Sequence, residues 1–138
     1  MTYLVDANVL SEATRPQPDT GVLDWLGRHD ADLVVTPIVL GEIEYGIRLI
    51  PEGRKRNDLL QWFAEGVQQV RVIPIDAGTA STWADLLARL KTSGRSMPVK
   101  DSLIAASALQ HGLTVVTRNT ADFQHAGVAL IDPFSHSP

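Results

Sequence analysis

The chain has 138 residues, 44% apolar and 20% charged, which suits one compact domain with its own core and leaves little room for a second. It contains no cysteine, so disulfides, zinc–thiolate sites, iron–sulfur clusters and cysteine nucleophiles are excluded. The net charge of −4 is uneven: residues 1–47 carry two bases and eight acids, residues 48–100 nine bases and five acids. An acidic stretch beside a basic one suits a site that holds a cation and receives a polyanion; from charge alone, an unevenly solvated surface is the stronger explanation.

No apolar run nears the roughly 18 residues of a membrane helix. Met1 to Asp6 has no basic segment followed by an apolar one, so no secretion leader is expected and the expected location is the cytoplasm. In chain order, Tyr3–Val5 reads as a first buried strand and Leu33–Thr36 as a second. Thr36-Pro37 then opens a helix, with Thr36 as N-cap and Pro37 in the first turn. That helix carries Ile38, Ile43 and Ile47 and stops near Pro51-Glu52-Gly53. A helix from Arg54 to about Gln69 places Leu59, Leu60, Phe63 and Val67 on one face. Arg71–Ile75 reads as a third strand. Thr79 to about Thr92 reads as a helix with Ala80, Trp83, Leu87 and Leu90 inward and Ser93-Gly94 as its stop. A helix from Val99 to Gln110 ends at His111-Gly112, before strands at Leu113–Thr117 and Val128–Ile131. Residues 133–138 read as a short tail. Leu23, Trp25, Leu26, Trp62 and Phe63 are candidates for a partner surface, with core packing the expected role for most.

Strands alternating with helices predict an α/β fold with a largely parallel sheet of four to five short strands, flanked by helices. Such sheets place their sites at the carboxyl ends of the strands. Asp6 directly follows the first strand. Glu42 lies within the helix opened by Pro37, beside Gly41, a residue that costs a helix roughly 1 kcal/mol against alanine and is expected to admit another backbone closely. Glu44, two residues on, points elsewhere. Asp101 sits in the first turn of a helix whose Ala105, Ala106, Ser107 and Ala108 permit close packing on the sheet. Asp122 follows the strand ending at Thr117. Each acid has an ordinary explanation as a cap, a turn residue or a solvated group. Together they fall at one predicted edge. Carboxylates sharing a pocket repel unless a cation stands between them, and an all-oxygen set without His or Cys favours Mg2+ or Mn2+. Such an ion held by carboxylates points to phosphate-ester chemistry.

Four segments carry a resemblance: Leu4-Val5-Asp6-Ala7-Asn8-Val9-Leu10-Ser11-Glu12, Leu40-Gly41-Glu42-Ile43, Pro98-Val99-Lys100-Asp101-Ser102-Leu103-Ile104-Ala105-Ala106, and Thr114-Val115-Val116-Thr117-Arg118-Asn119-Thr120-Ala121-Asp122-Phe123. The chain resembles the PIN-domain ribonucleases, and among them the VapC-type toxins of type II toxin–antitoxin pairs, close to the FitB-like branch. The resemblance implies a PIN-domain fold over 1–138. It implies Asp6, Glu42, Asp101 and Asp122 as an acidic quartet around Mg2+ or Mn2+, with Thr117, Asn119 and Asn8 in support. Relatives usually read Asp-Thr-Asn at the first motif, whereas Ala7 here lacks the hydroxyl. It further implies an RNA substrate, tRNA among the candidates, and a VapB- or FitA-like antitoxin that covers the site and makes the only contact with operator DNA. A homodimer, or a heterotetramer or hetero-octamer with antitoxin, is the implied assembly. Lys100, Arg118, Arg95 and Arg48 are the bases expected to guide RNA.

Two other readings compete. A phosphoaspartyl phosphatase would want a second Asp at position 8 and a Lys after a later strand, where Asn8 and Arg118 stand. A catalytically inactive PIN-like binding module would act through its antitoxin–DNA complex, but the chain keeps all four acids.

Overall fold

A computed structural model describes residues 1–134. Five short strands, β1 (Tyr3–Val5), β2 (Leu33–Val35), β3 (Arg71–Val72), β4 (Thr114–Val116) and β5 (Ala129–Ile131), form one sheet in the order β3-β2-β1-β4-β5. Every neighbouring pair is parallel. Helices α1 (Ala7–Leu10), α2 (Thr20–Arg28), α3 (Pro37–Arg48), α4 (Arg54–Glu65), α5 (Ala77–Thr92), α6 (Val99–His111) and α7 (Thr120–Phe123) connect and flank it.

Successive residues of a strand point to opposite faces, so a run buried at every position is covered on both. Leu4-Val5, Val34-Val35 and Val115-Val116 are all buried, which puts β1, β2 and β4 between two helical layers. Among the described residues no helix is long and apolar enough to cross a membrane. The chain leaves β1, builds outward through β2 to β3, and returns to lay β4 on the other side of β1. The strand order therefore reverses between β1 and β4, and a crevice opens beyond their carboxyl ends.

Most predicted elements appear within a residue or two. Thr36 caps α3, accepting the Val39 N–H at 3.3 Å, with Pro37 behind it. Four expectations need correction. Helix α4 ends at Glu65 rather than near Gln69, because Gly66 caps it and Val67–Gln69 form a separate 3-10 turn. The third strand is two residues long, not five, because Pro74 has no N–H to extend the ladder beyond the Ile73 N–H bond to the Val35 carbonyl. The inward stripe of α5 runs through Thr79, Leu86 and Leu90 with Trp83 half-buried, and Ala80 is exposed. The capping box at Asp76 and Thr79 starts that helix at Ala77 and sets its rotation. Residues 133–138 do not all trail: Pro133 is buried and Phe134 packs against the core, while Ser135–Pro138 lie outside the described residues.

Helix α2 has no counterpart in the sequence reading. Asp19 caps it by accepting from Gly21 and Val22, and Val22, Trp25 and Leu26 follow at helical spacing. Its two glycines weaken the propensity, so packing of Trp25 and Leu26 against the core stabilises it. Trp62 also packs there and Phe63 is buried, as expected of most partner-surface candidates.

Helix α6 is buried continuously from Ile104 to Ala108 and packs on α3, α5, α7 and β4. The small side chains of its centre permit that approach. Gly112 ends it in the left-handed conformation, φ 64° and ψ 42°. A Cβ at Gly112 meets no atom within 4 Å, so Gly112→Ala adds backbone strain without a clash. That strain is about 1 kcal/mol, a fall in Tm of about 4 °C for a domain of this size, to be read in a thermal melt.

Candidate active site

The reversal of strand order gives the site its foundation. The N–H of Asp6 bonds the Val116 carbonyl at 2.9 Å, and the N–H of Thr117 bonds the Ile131 carbonyl at 3.0 Å. Both residues thus continue the ladder just beyond β1 and β4. Asp6 is 3% exposed and Thr117 fully buried. The Thr117 hydroxyl donates to Asp6 Oδ2 at 2.8 Å, and the Ala7 N–H donates to Asp6 Oδ1 at 2.8 Å. Asn8 Nδ2 adds a longer contact to Asp6 Oδ2 at 3.4 Å, and Asn8 Oδ1 accepts the Arg118 N–H at 3.1 Å. Asn8 therefore clips the loop after β1 to the loop after β4. The support that Ala7 cannot offer through a hydroxyl comes from its backbone amide.

Asp6 serves two purposes, as N-cap of α1 and as the deepest carboxylate of the crevice. Glu42 projects from α3 and Asp101 from the first turn of α6. Asp122 lies on α7, which packs against α6, and is exposed. Asn119 donates its N–H to Thr117 Oγ1 at 3.0 Å and accepts the Asp122 N–H at 3.0 Å, so it acts through its backbone. Gly41 does not admit a close backbone neighbour; it is exposed, and a Cβ there meets nothing within 4 Å.

The acids act on one another. Burial raises the pKa of Asp6, opposed by the hydrogen bonds from Thr117 and Ala7 and by the Lys100 charge. Burial and then the Asp6 charge raise that of Glu42. Asp101 is pushed up to about 6, first by burial and then by Asp6, Asp122 and Glu42. Four carboxylates on four elements share one field. Glu44 lies apart, bound to Arg48 at 2.7 Å on the outer face.

The four expected RNA-guiding bases are distributed differently. Lys100 Nζ stands 3.8 Å from Glu42 Oε1. The Arg118 guanidinium lies over the Phe134 ring at 4.7 Å. Arg95 contacts His125 Nε2 at 2.6 Å. Arg48 follows Glu42 by six positions, about 120° around the helix, and is engaged by Glu44.

The donors are all carboxylate oxygens, the chemistry that Mg2+ and Mn2+ select. Among the described residues no three His, Cys, Asp or Glu side chains converge tightly enough to grip an ion as they stand. Burial raises all three carboxyl pKa values, and neighbouring acids add to the rise at Glu42 and Asp101, a negative potential that a divalent cation would offset. The residues fit such an ion in chemistry and charge.

Beside the acids runs a cleft of about 360 Å³, lined by Asn8 and Glu42 at one end and by Ile43, Ile47, Leu59 and Trp62 further along. The sequence reading did not assemble it. Its signal was the spacing of Ile43 with Ile47 on one helix and Leu59 with Trp62 on the next.

A family model described as PIN domain matches residues 3–129. The chain belongs to the PIN-domain family. Within it, the similarity is to VapC and FitB proteins: 36% identity to VapC ribonuclease Y4jK of Sinorhizobium fredii, over 95% of this chain and 96% of that protein. Toxin FitB of Neisseria gonorrhoeae is likewise 36% identical, over 95% and 97%. The crystal structure of FitAcB from Neisseria gonorrhoeae superposes with a TM-score of 0.91 at 35% identity, covering 99% of this chain and all of that one. FitAB bound to an IR36 DNA fragment gives 0.92 at 33%, covering 99% of both chains. PIN-domain ribonucleases are in general divalent-metal dependent.

The raised Asp101 pKa has a consequence for stability. Below about 4 the group is protonated folded and unfolded, and above about 6 it is ionised in both. Between them the folded state binds more protons, so stability falls as pH rises through this window. Asp101→Asn removes the penalty. In EDTA at pH 7.5 its Tm should exceed the unsubstituted protein's by about 4 °C, roughly 1 kcal/mol after allowing for solvent screening. The gain should shrink towards zero near pH 4.

Proposed function

We propose that the chain is the toxin of a type II toxin–antitoxin pair, a single-domain endoribonuclease that uses Mg2+ or Mn2+ and works in the cytoplasm. The observation that carries the reading is the gathering of Asp6, Glu42 and Asp101 at the strand-order reversal, where burial raises each carboxyl pKa and the Asp6 charge adds to the rise at Glu42 and Asp101. The similarity to proteins named as ribonucleases and toxins supports the reaction class. Mg2+ and Mn2+ are favoured over softer ions because every donor is a hard oxygen.

Asp6, Glu42 and Asp101 would hold the ion, with Asp122 completing the set from α7. When bound, the ion supplies positive charge against the scissile phosphate and lowers the pKa of water. Thr117, the Ala7 amide and Asn8 fix the plane of Asp6, so the deepest carboxylate does not rotate during the reaction. One carboxylate takes the proton of the attacking water. The P–O3′ bond would break and the departing O3′ would take a proton from solvent, leaving a 5′-phosphate and a 3′-hydroxyl. Lys100, beside Glu42, would steer the RNA backbone, tRNA included, with Arg118, Arg95 and Arg48 as further candidates.

The apolar cleft from Asn8 to Trp62 adjoins the acids, so an antitoxin segment laid along it would also cover the site. The cognate antitoxin would be VapB- or FitA-like, with operator DNA contacted through it alone. The assembly proposed is a homodimer, or a heterotetramer or hetero-octamer with antitoxin. The non-catalytic alternative is not favoured, because the acids are all present and electrostatically coupled.

The test is cleavage of labelled total small RNA by purified, antitoxin-free protein in Mg2+, in Mn2+ and in EDTA. Cutting should require the ion. Asp6→Asn and Asp101→Asn should each lose at least about a hundredfold of the rate while remaining folded. No cutting by folded protein under any condition returns the non-catalytic binding module.

A further inference from the structure

Lys100 stands immediately before Asp101 in the first turn of α6, and its ammonium reaches across to α3, 3.8 Å from Glu42 Oε1. Its side chain is 64% exposed and that of Glu42 26%. The stem therefore lies on the surface while the head turns towards the acids. Among the described residues it is the only base ion-paired with an acid of this edge. Other bases near the edge are engaged elsewhere: Arg118 with Phe134, Arg95 with His125, Arg48 with Glu44.

A lysine ammonium is a compact point charge on a flexible stem. Placed here it satisfies the same negative potential that a divalent ion would satisfy. An ammonium and a divalent cation repel each other, so full occupancy by one disfavours the other, and the coupling is reciprocal.

We infer that Lys100 is a tethered counter-ion of the acid set, balancing Glu42 and its neighbours in the metal-free protein and swinging outward when a divalent ion enters. The inference rests on the metal-binding reading proposed above. Lys100 thereby sets the ion concentration at which the site fills. The four-carbon stem lets Nζ move without any change in the backbone of α6, so the exchange needs no conformational step beyond a side-chain rotation.

The experiment is calorimetric titration of Mn2+ into the full chain, purified free of antitoxin, as the unsubstituted protein, Lys100→Met and Lys100→Arg. Melts in EDTA accompany it. Lys100→Met should bind Mn2+ about tenfold more tightly at low salt, and 0.5 M NaCl should narrow the difference. Its metal-free Tm should fall by a few degrees, the direction opposite to Asp101→Asn, because the carboxylates lose their counter-charge. Lys100→Arg keeps the charge and should stay within about threefold of the unsubstituted affinity. A lysine that is merely solvated moves neither reading. Mn2+ affinity unchanged or weakened in Lys100→Met, with the unsubstituted protein binding normally, overturns the inference alone. Absence of Mn2+ binding in all three proteins overturns the metal-binding reading and the inference with it.

Discussion

Like charges resist being gathered, and this structure gathers them at one edge of its sheet. The ladder between β1 and β4 delivers Asp6 and Thr117 side by side, because each continues its strand by one hydrogen bond. Asp6 cannot turn away: Ala7 holds one oxygen and Thr117 the other. Helices α3 and α6 then bring Glu42 and Asp101 into the same field, and α7 adds Asp122. Protonation of Asp101, whose pKa is pushed up to about 6, relieves part of the repulsion, and a cation among the acids would relieve more. Lys100, 3.8 Å from Glu42, is the cation that the fold itself supplies there.

The scaffold is built to hold that repulsion. Strands β1, β2 and β4 are buried on both faces, and α6 runs through the interior on alanine and serine contacts. Apolar burial of this kind is worth tens of calories per mole per Å², so a few coupled carboxylates do not unfold the domain. They do lower its stability locally, the usual trade between a functional site and a relaxed one. Neutralising Asp101, the carboxyl raised by burial and by three neighbouring acids, should therefore stabilise the fold.

The apolar cleft belongs to the same design. It is lined by Asn8, which contacts Asp6, by Glu42, itself one of the acids, and by residues of α3 and α4. A partner drawn to the cleft by apolar contact lies beside the charged edge as well. A substitution at Asn8 or Glu42 therefore touches both the cleft and the acidic edge.

The amino-acid pattern alone determined the alternation of strands and helices, the caps at Thr36 and Gly112, and the placing of Asp6, Asp101 and Asp122 at strand and helix ends with Glu42 inside a helix. These are local properties, set by period, propensity and turn chemistry within a few residues. The register of α5 was missed by one position because Asp76 and Thr79 set its start, and the third strand was read too long across Pro74. Helix α2 was hidden by its glycines and became visible only through what Trp25 packs against. Tertiary structure alone decided that Thr117 orients Asp6 from 111 residues away, that Lys100 rather than Arg48 reaches the acids, and that Phe134 is docked. Each of these depends on a distance between segments remote in the chain, which folding sets and periodicity does not encode.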